Sequence, residues 1–231
     1  MVFITGDKHG EFSSVENFCK RFNTTKDDIL IVLGDAGINF YLNKRDKKLK
    51  QELSKLPITL FCIHGNHEER PYNINGYQEK KFNGGTAYVE ETFPSIIFAK
   101  DGEIYDFNGY KCMVIGGAYS VDKWYRLASH LTWFPSEQPN QKIKQYVESQ
   151  LSKNNWEVDI VLSHTAPIRY EPIEWFLSGL DQSSVDKSTE EWLGEIEKKL
   201  NYKKWYVGHY HGSKKIDKMQ FMFNDFDELN V

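Results

Sequence analysis

Nearly continuous apolar runs alternate with amphipathic segments through the first third of the chain. The runs are residues 2–5, 29–33 and 58–63, and such runs are typical of strands buried on both faces of a parallel sheet. The segments between them, Phe12–Phe22 and Asn43–Leu56, are amphipathic and predict helices. This strand–helix–strand order predicts a largely parallel sheet.

The middle of the chain has short apolar runs with few residues between them. Four strands are predicted there, at residues 86–90, 95–99, 103–107 and 111–115. Asn108-Gly109, between the last two runs, is a strong signal for a tight hairpin. This region is therefore predicted to be antiparallel.

Helices and strands alternate again in the last part of the chain. The predicted elements are a helix over Glu137–Lys153, a buried strand at 159–163, a helix from the capping box Ser188–Glu191 to about Leu200, a strand at 205–207 and a strand at 219–223 in a hairpin. No domain boundary is visible, so residues 1–231 are predicted to form one α/β domain. The pattern indicates two sheets, one mixed and one mainly antiparallel.

Polar side chains directly follow five of the predicted buried strands. Six of the seven histidines lie in these loops, and only His130 lies outside them. The loops are Gly6–Gly10, Gly34-Asp35, His64–Glu68, His164 and Gly208–His211. Because loops at the carboxyl ends of parallel strands gather in one crevice, these distant side chains are expected to meet.

Each loop has a plainer explanation when it is taken alone. Gly-Asp after a strand is ordinary turn chemistry, and a single histidine such as His164 is more often a hydrogen-bonded structural residue. Gly65–Glu68 is more specific, and His209 and His211 occupy alternate positions, which face the same way in extended chain. In combination the loops indicate a metal site, while His64 is assigned a structural or supporting role.

The candidate ligands combine carboxylates, imidazoles and one amide, without a cysteine. They are Asp7, His9, Asp35, Asn66, His164, His209 and His211. This donor set suits Mn²⁺ first, with Fe, Zn²⁺ or Ni²⁺ as alternatives. These ligands are too many for one ion, so two divalent ions that share a carboxylate are expected, an arrangement used to hydrolyse phosphate esters.

Composition narrows the possible partners. The net charge is −4, which argues against a dedicated surface for nucleic acid or anionic membranes. No run approaches the roughly 20 apolar residues of a membrane span, and the first residues read as a strand rather than a signal peptide. The scattered cysteines Cys19, Cys62 and Cys112 are expected to be free core residues in a reducing cytoplasm.

The order of these motifs resembles that of the calcineurin-like metallophosphoesterase superfamily. The matching pieces are Asp7-x-His9, Gly34-Asp35, Gly65-Asn66-His67-Glu68, His164 and Gly208-His209-x-His211. The resemblance implies an α/β protein built as a four-layer α/β/β/α sandwich with two mixed sheets. It also implies that the metal site lies at the carboxyl ends of the strands.

The resemblance also implies a role for each site residue. Asp7, His9 and His211 would hold one metal, and Asn66, His164 and His209 would hold the other. Asp35 would bridge them. The implied reaction is attack of a metal-activated hydroxide on phosphorus, with His67 assisting the leaving group. Glu68, Glu69 and Asp35 are all candidates to support the charged His67 ring.

The chain departs from the Ser/Thr protein phosphatases of the same superfamily. Gly34-Asp35 is followed by Ala36–Phe40, without the arginine with which that branch clamps phosphate. The chain is more similar to small bacterial and phage-type members. Arg126 is instead the candidate phosphate contact, beside Asn66, because the planar fork of arginine binds phosphate with two hydrogen bonds. The alternative for Arg126 is a surface salt bridge.

The expected activity is hydrolysis of phosphate mono- or diesters on small molecules, nucleotides or phosphoproteins. One alternative is a nuclease or nucleotide phosphodiesterase acting on DNA, RNA or cyclic nucleotides. Another is a catalytically weak protein-interaction module on the same fold. The aromatic residues near Arg126 provide either a wall for a base or aryl group or packing beneath their loop: Tyr119, Trp124, Tyr125 and Trp133. No membrane partner is expected, and the sequence leaves the oligomeric state open.

Overall fold

Thirteen strands and five α-helices are present in the computed structural model, which describes residues 1–176, 179 and 181–231. The strands are β1 (Val2–Thr5), β2 (Ile29–Val32), β3 (Thr59–Cys62), β4 (Tyr77–Phe82), β5 (Gly85–Glu90), β6 (Ile96–Ala99), β7 (Ile104–Phe107), β8 (Tyr110–Ile115), β9 (Ile160–Ser163), β10 (Lys204–Val207), β11 (Lys214–Ile216), β12 (Met219–Phe221) and β13 (Phe226–Glu228). The helices are α1 (Ser13–Phe22), α2 (Lys44–Leu53), α3 (Lys123–Ala128), α4 (Gln141–Lys153) and α5 (Ser188–Glu197).

The strands form two mixed sheets. The first has the order β13-β1-β2-β3-β6-β5-β4, with β1, β2, β3 and β6 parallel. The second has the order β11-β12-β10-β9-β8-β7, with β12, β10, β9 and β8 parallel. The prediction that the second sheet is mainly antiparallel is therefore wrong, and its antiparallel pairs lie only at its two edges.

The prediction that the middle strands pair antiparallel is correct for neighbouring strands, but these strands are divided between the two sheets. Strands β4, β5 and β6 extend the first sheet, whereas the hairpin β7–β8 enters the second. Asn108 and Gly109 join this hairpin, and both have positive φ, +56° and +83°, as the predicted tight turn requires. Strand β8 then pairs in parallel with β9.

Three buried clusters separate four layers. One cluster lies between the sheets, and residues such as Ile4, Phe61 and Leu162 contribute to it. Their neighbours on the same strands point the other way: Phe3 and Leu60 pack on α1 and α2, while Val161 packs on α4 and α5. The strands are buried on both faces, which explains their uninterrupted apolar sequences. The predicted α/β/β/α architecture with two mixed sheets is confirmed.

Side chains that precede the first helical residue accept backbone N–H groups at the starts of α2 and α5. The Asn43 side chain accepts a hydrogen bond from the Arg45 backbone N–H (2.8 Å), so α2 begins directly after it. The α5 helix starts at Ser188 as predicted, but the Asp186 carboxylate accepts the Ser188 backbone N–H (3.0 Å). Asp186 therefore takes the part assigned to the Ser188–Glu191 capping box.

The elements that the sequence pattern misses are short or exposed. Strand β4 is the polar edge strand YQEKKF, which has no apolar face to detect. Strands β11 and β13 have three residues each and lie at the sheet edges. Helix α3 has six residues and buries none of them. Such elements form by pairing with or packing beside a neighbour rather than through their own periodicity.

The cysteines and the lengths of the helices bear on the environment of the chain. All three cysteines are free and buried, as expected of small core residues. Within the described ranges, no helix is both long enough and apolar enough to cross a membrane.

Candidate metal centre

The polar loops that follow β1, β2, β3, β9 and β10 meet where the two sheets come together. A short backbone contact ties the loops of the second sheet, because the Gly208 N–H donates to the His164 carbonyl (3.0 Å). The His164 ring crosses to the first sheet, where its Nδ1 lies 2.7 Å from the Leu33 carbonyl oxygen. Side chains that are far apart in sequence thus lie in one crevice.

The first group of converging ligand atoms comes from Asp7, His9 and His211, and these atoms lie within 4.8 Å of one another. The Nε2 atoms of His9 and His211 are 2.9 Å apart, and His211 Nε2 lies 3.3 Å from Asp7 Oδ2. Burial raises the pKa of Asp7, but the adjacent His211 ring and the His164 charge outweigh it, and the pKa falls to about 2. Asp7 is thus an anion at neutral pH.

The second group comes from Asp7, Asp35 and His164 and meets the same distance limit. The Leu33 carbonyl accepts the Nδ1–H of His164, which orients the ring with Nε2 towards the crevice. His164 Nε2 lies 2.9 Å from Asn66 Oδ1. The Asn66 amide is oriented by Ser120, whose Oγ accepts from Asn66 Nδ2 (2.9 Å), and so its oxygen is the atom presented.

Asp35 belongs to the second group and also lies near a ligand of the first. Its Oδ2 is 3.9 Å from His9 Nδ1 and 3.7 Å from His164 Nε2. Its other oxygen, Oδ1, accepts the His67 backbone N–H at 2.8 Å. The carboxylate is therefore held by the loop that carries His67 while one oxygen faces both ligand groups.

His209 is tied to the same crevice through its backbone and its ring. Its N–H donates to Asp7 Oδ1 (2.9 Å), and its ring packs against that of His164 with centroids 4.9 Å apart. Burial lowers the pKa of His209 well below its usual range, and the His164 ring acts in the same direction. The ring is thus neutral, the form in which imidazole binds a metal.

Four residues of the crevice have a strained backbone conformation. His9, Asp35, His209 and His211 all have positive φ, between +46° and +66°. This left-handed region is unfavourable for residues other than glycine and persists where the surrounding structure enforces it, commonly at functional sites. Here it turns the side chains of three loops into one crevice.

Two glycines leave room for the ligands. A Cβ at Gly34, which has φ of +96°, would lie 2.1 Å from His164 Nδ1. A Cβ at Gly65 would lie 2.0 Å from Asp35 Oδ1. Both distances are far inside van der Waals contact, so the glycines of these motifs are needed for the close approach of neighbouring loops.

The variant Gly65→Ala is expected to lose metal affinity and at least about tenfold in activity, because its methyl group must displace the Asp35 carboxylate. Bound metal measured by plasma mass spectrometry after dialysis checks this. The control is Gly109→Ala, because Gly109 has open space around its Cβ, although its own φ of +83° strains an alanine there. That variant should lose some stability and keep its metals; equal metal loss in both variants would contradict the steric explanation.

The His67 ring lies at the edge of the crevice. Burial lowers its pKa most, and the charges of Arg126 and His9 lower it further, while Asp35 and Asp122 raise it. A lowered pKa makes the protonated ring a stronger acid but leaves a smaller fraction of it protonated at neutral pH. Asp122 is a neighbour that the sequence did not suggest.

The two glutamates after His67 accept hydrogen bonds from groups other than the His67 ring. Glu68 is buried, and its Oε1 accepts the Gly65 N–H (2.9 Å). Burial, followed by the Asp35 charge, raises the pKa of Glu68 to about 8. Glu69 Oε1 accepts from the Arg70 backbone N–H (2.9 Å) and the Ser136 hydroxyl (2.6 Å). Of the three candidates, Asp35 is the carboxylate that contacts His67 and raises its pKa.

His64 is buried behind the crevice, with 3 % of its surface exposed. Burial first, and then the Arg70 charge, lowers the pKa of His64 well below its usual range. The adjoining Arg70 is itself buried in an ion pair with Asp101. A neutral ring in this position agrees with the structural or supporting role expected for His64.

Arg126 lies on α3 beside the crevice. Its Nε donates to Asp122 Oδ2 (2.8 Å) and its Nη1 to the Thr132 carbonyl (3.2 Å). The salt bridge considered as the alternative for Arg126 is therefore present. Its charge nevertheless acts on the His67 ring, because it lowers the pKa of that ring.

The aromatic residues around α3 behave differently from one another. Tyr119 is buried and lines the cavity beside the crevice. Trp124 and Tyr125 are exposed, at 63 % and 65 % of their surface. Trp133 donates its Nε1–H to Glu137 (2.7 Å). Only Tyr119 of this set is therefore among the described residues that line the cavity.

The cavity has a volume of about 550 Å³ and opens onto Asp35, Asn66 and His67. Its far wall is formed by residues that the sequence did not single out: Trp175, Phe176, Val185, Glu190 and Tyr210. Tyr210 is the variable position of the Gly208–His211 motif and Glu190 an inner position of the Ser188–Glu191 pattern, so neither was a candidate in its own right. Only tertiary packing reveals that Glu190 faces this cavity.

The buried Glu190 makes stability depend on pH. Burial, and then the Glu171 charge, raises its pKa to about 7, against the lowering effects of Thr165 and Lys187. Between about pH 4.5 and 7 the unfolded chain loses this proton while the folded chain keeps it, so folding stability falls as pH rises through this window.

We expect the free energy of unfolding of the wild type to fall by about 3 kcal/mol more than that of Glu190→Gln across this window. Urea unfolding with a chelator present, from about pH 4.5 to 7.5, measures the difference. The other titrating groups are common to both proteins and cancel. Parallel pH profiles for the two proteins would contradict the raised pKa.

The residues in the crevice fit divalent cations. Asp7 Oδ2 is buried and has no partner in hydrogen-bonding geometry within the described ranges, although His211 Nε2 lies 3.3 Å away. Such an orphaned anionic oxygen is costly unless a cation compensates for it. The imidazoles and the Asn66 oxygen complete a donor set suited to borderline or hard divalent ions.

A family model of calcineurin-like phosphoesterases matches residues 1–213. The match includes every candidate metal ligand, and the class defined by this fold and this crevice is that of metal-dependent phosphoesterases. The chain belongs to the calcineurin-like phosphoesterase family, as the resemblance of its motifs implied.

Solved structures also share the fold. TT1561 of Thermus thermophilus is similar with a TM-score of 0.52 and 16% sequence identity, over 96% of this chain and 87% of that one. A second crystal structure is similar with a TM-score of 0.51 and 15% identity, over 96% of this chain and 88% of the other. No curated protein matches the sequence significantly.

Proposed function

We propose that this protein is a dinuclear metal-dependent phosphoesterase that hydrolyses phosphate mono- or diesters. The observation that carries the proposal is that two groups of converging ligand atoms adjoin. Asp7 belongs to both groups, and Asp35 Oδ2 lies 3.9 Å from His9 Nδ1 in the first and 3.7 Å from His164 Nε2 in the second. A carboxylate shared by two cation sites is the arrangement that paired-metal phosphate hydrolysis requires.

Each group of residues has a part in binding the metals. Asp7, His9 and His211 would hold one ion, and Asn66, His164 and His209 the other, with Asp35 shared. The ions, when bound, activate water for attack on phosphorus and neutralise the phosphoryl oxygens. Mn²⁺ is the proposed ion, with Fe, Zn²⁺ or Ni²⁺ as alternatives, because the donors are carboxylates, imidazoles and an amide.

His67 and Arg126 act on the substrate in this proposal. The His67 ring donates its proton to the departing oxygen, and Asp35 and Asp122 stabilise the charged form that carries this proton. Arg126 and Asn66 contact the phosphoryl group, and Arg126 would exchange part of its ion pair with Asp122 for the substrate. The substrates are phosphorylated small molecules, nucleotides or phosphoproteins, and the three free, buried cysteines favour work in the cytoplasm.

Hydrolysis of p-nitrophenyl phosphate and bis-p-nitrophenyl phosphate tests this function. The protein is first stripped with a chelator and then loaded with each metal, and bound metal per chain is measured on the same sample. Turnover that appears with two ions per chain is expected. Protein that holds its metals and hydrolyses neither ester would instead favour the interaction module considered from the sequence.

A further inference from the structure

The cavity beside the metal centre is large enough for more than a phosphate group. Its volume of about 550 Å³ falls in the range of pockets that enclose small organic ligands. One end is formed by site residues, among them Asn66, His67 and His209. A phosphate held at that end leaves the rest of the cavity for the group to which the phosphate is esterified.

Aromatic side chains form the walls of this second part. They are Tyr119, Trp175, Phe176 and Tyr210. The Trp175 ring is held edge-on against Phe221, with centroids 5.9 Å apart, and packs so closely on Gly212 that a Cβ there would lie 2.7 Å from the ring. The Lys214 ammonium lies over the same ring, 4.8 Å from its centroid. A fixed indole that lines a cavity offers a surface on which a flat ring can stack.

A buried carboxylate in the cavity has unused capacity to accept hydrogen bonds. Glu190 is 5 % exposed, and its Oε1 accepts the Thr165 hydroxyl proton (2.7 Å). Thr165 Oγ1 must then accept the hydroxyl proton of Tyr210, whose oxygen lies 2.9 Å away. Neither the Thr165 nor the Tyr210 hydroxyl has a further proton to donate to Glu190. Glu190 Oε2 is buried and has no partner among the residues that the structure describes.

The nearby ammonium group is also engaged. Lys187 donates to Glu171 at 2.8 Å, and Glu171 lines the same cavity. An unpartnered carboxylate oxygen in a buried setting is costly, which is why such atoms in native proteins commonly receive a donor from a ligand. The far end of the cavity therefore suits a ligand that brings N–H groups and carries no further negative charge.

We infer that the cavity holds the base of a mononucleotide ester and that Glu190 selects bases with two adjacent N–H donors, of which guanine is the natural case. This inference rests on the proposed phosphoesterase function and names its substrate class. A flat base can stack on the Trp175 ring. The ionised Glu190 carboxylate can only accept hydrogen bonds, so it favours a base that donates them.

The chemistry of the bases distinguishes them at this site. Guanine offers its N1–H and its 2-amino group side by side, and these match the two oxygens of a carboxylate. Uracil offers one N–H flanked by two carbonyl oxygens, which a carboxylate repels. The net charge of −4 argues against a long nucleic acid, so a mononucleotide is the fitting size.

The test compares esters that differ only in the base. Guanosine and uridine 5′-monophosphates cover monoesters, and the corresponding 2′,3′-cyclic phosphates cover diesters, each with Mn²⁺ at about pH 8, where Glu190 is ionised. The expected kcat/KM is at least about tenfold higher for the guanine ester in the ester class that is hydrolysed. Binding of guanosine and uridine to the metal-free protein gives a readout that is independent of turnover.

Two variants attribute the preference to its source. Glu190→Gln should bring the guanine-to-uracil ratio to within about threefold, because the amide replaces an acceptor with a donor. Glu191→Gln, an exposed neighbour on the same helix, should keep the wild-type ratio. Trp175→Leu should weaken binding of both nucleosides, since it removes the stacking face. Circular dichroism confirms that each variant is folded.

Different results would overturn the phosphoesterase function and the selection of guanine by Glu190. Hydrolysis of p-nitrophenyl esters with equal rates for guanine and uracil esters, and equal nucleoside binding, would overturn the inference and leave the phosphoesterase function standing. Guanosine binding that depends on Glu190, without hydrolysis of any ester by metal-loaded protein, would overturn the function and leave the base site standing. A guanine preference that survives in Glu190→Gln would also overturn the inference.

Discussion

Asp35→Asn is expected to lose most of its bound metal and at least about 100-fold in phosphoesterase activity. The substitution keeps the shape of the side chain but removes the negative charge that faces both ligand groups. An amide can also present an N–H to the crevice, where it would repel a cation. Metal per chain after dialysis and hydrolysis of bis-p-nitrophenyl phosphate measure the two effects.

A matched aspartate separates loss of metal from loss of fold. Asp46 is also buried, and its oxygens accept the backbone N–H groups of Tyr41 (3.0 Å) and Leu42 (2.6 Å). Asp46→Asn should therefore lower the melting temperature while bound metal and activity stay near the wild type. An Asp35→Asn protein with full metal and full activity would contradict the shared-ligand role.

The positions of the site residues were predictable because two patterns coincide in the sequence. Buried parallel strands have continuous apolar sequences. The residue at which each apolar run ends therefore lies at the carboxyl edge of the sheet. Asp7, Asp35 and His164 each follow such a run closely, so their convergence could be predicted without coordinates. The structure brings their ligand atoms within 4.8 Å of one another.

The arrangement of the second sheet could not be read in the same way. The apolar runs over 103–107 and 111–115 predict an antiparallel hairpin, which β7 and β8 form. Whether that hairpin extends the first sheet or begins another depends on long-range pairing, here of β8 with β9. Local sequence determines the turn and the alternation of faces but does not encode which distant edge is joined.

The partners of His67 show a second limit of sequence reasoning. Three nearby carboxylates had equal claims because sequence distance says little about the direction of a side chain. Glu68 turns back to its own loop and accepts the Gly65 N–H (2.9 Å), while Asp122, far along the chain, affects the His67 pKa. The cavity wall at Trp175 and Glu190 was missed for the same reason.

His67→Ala is expected to lower turnover by about 10²–10⁴-fold and to leave bound metal near the wild-type amount. The ring lies beside the ligand groups and supplies a proton, whereas its backbone N–H, which holds Asp35 at 2.8 Å, is kept in the variant. His130→Ala is the control, because His130 is the histidine outside the five loops. It should retain both metal and activity.

A comparison of esters with different leaving groups tests the role of His67 more sharply in the same variant. A p-nitrophenolate departs without a proton, whereas a phenolate or an alkoxide of higher pKa needs one. The loss in His67→Ala should therefore grow as the leaving group becomes more basic, from p-nitrophenyl to phenyl to alkyl phosphate. A loss that is equal for all three esters, or one accompanied by loss of metal, would mean that His67 positions Asp35 rather than donating a proton. The expected slope follows from the chemistry of the departing oxygen, so it distinguishes an acid from a structural residue even if the variant is slow with every ester.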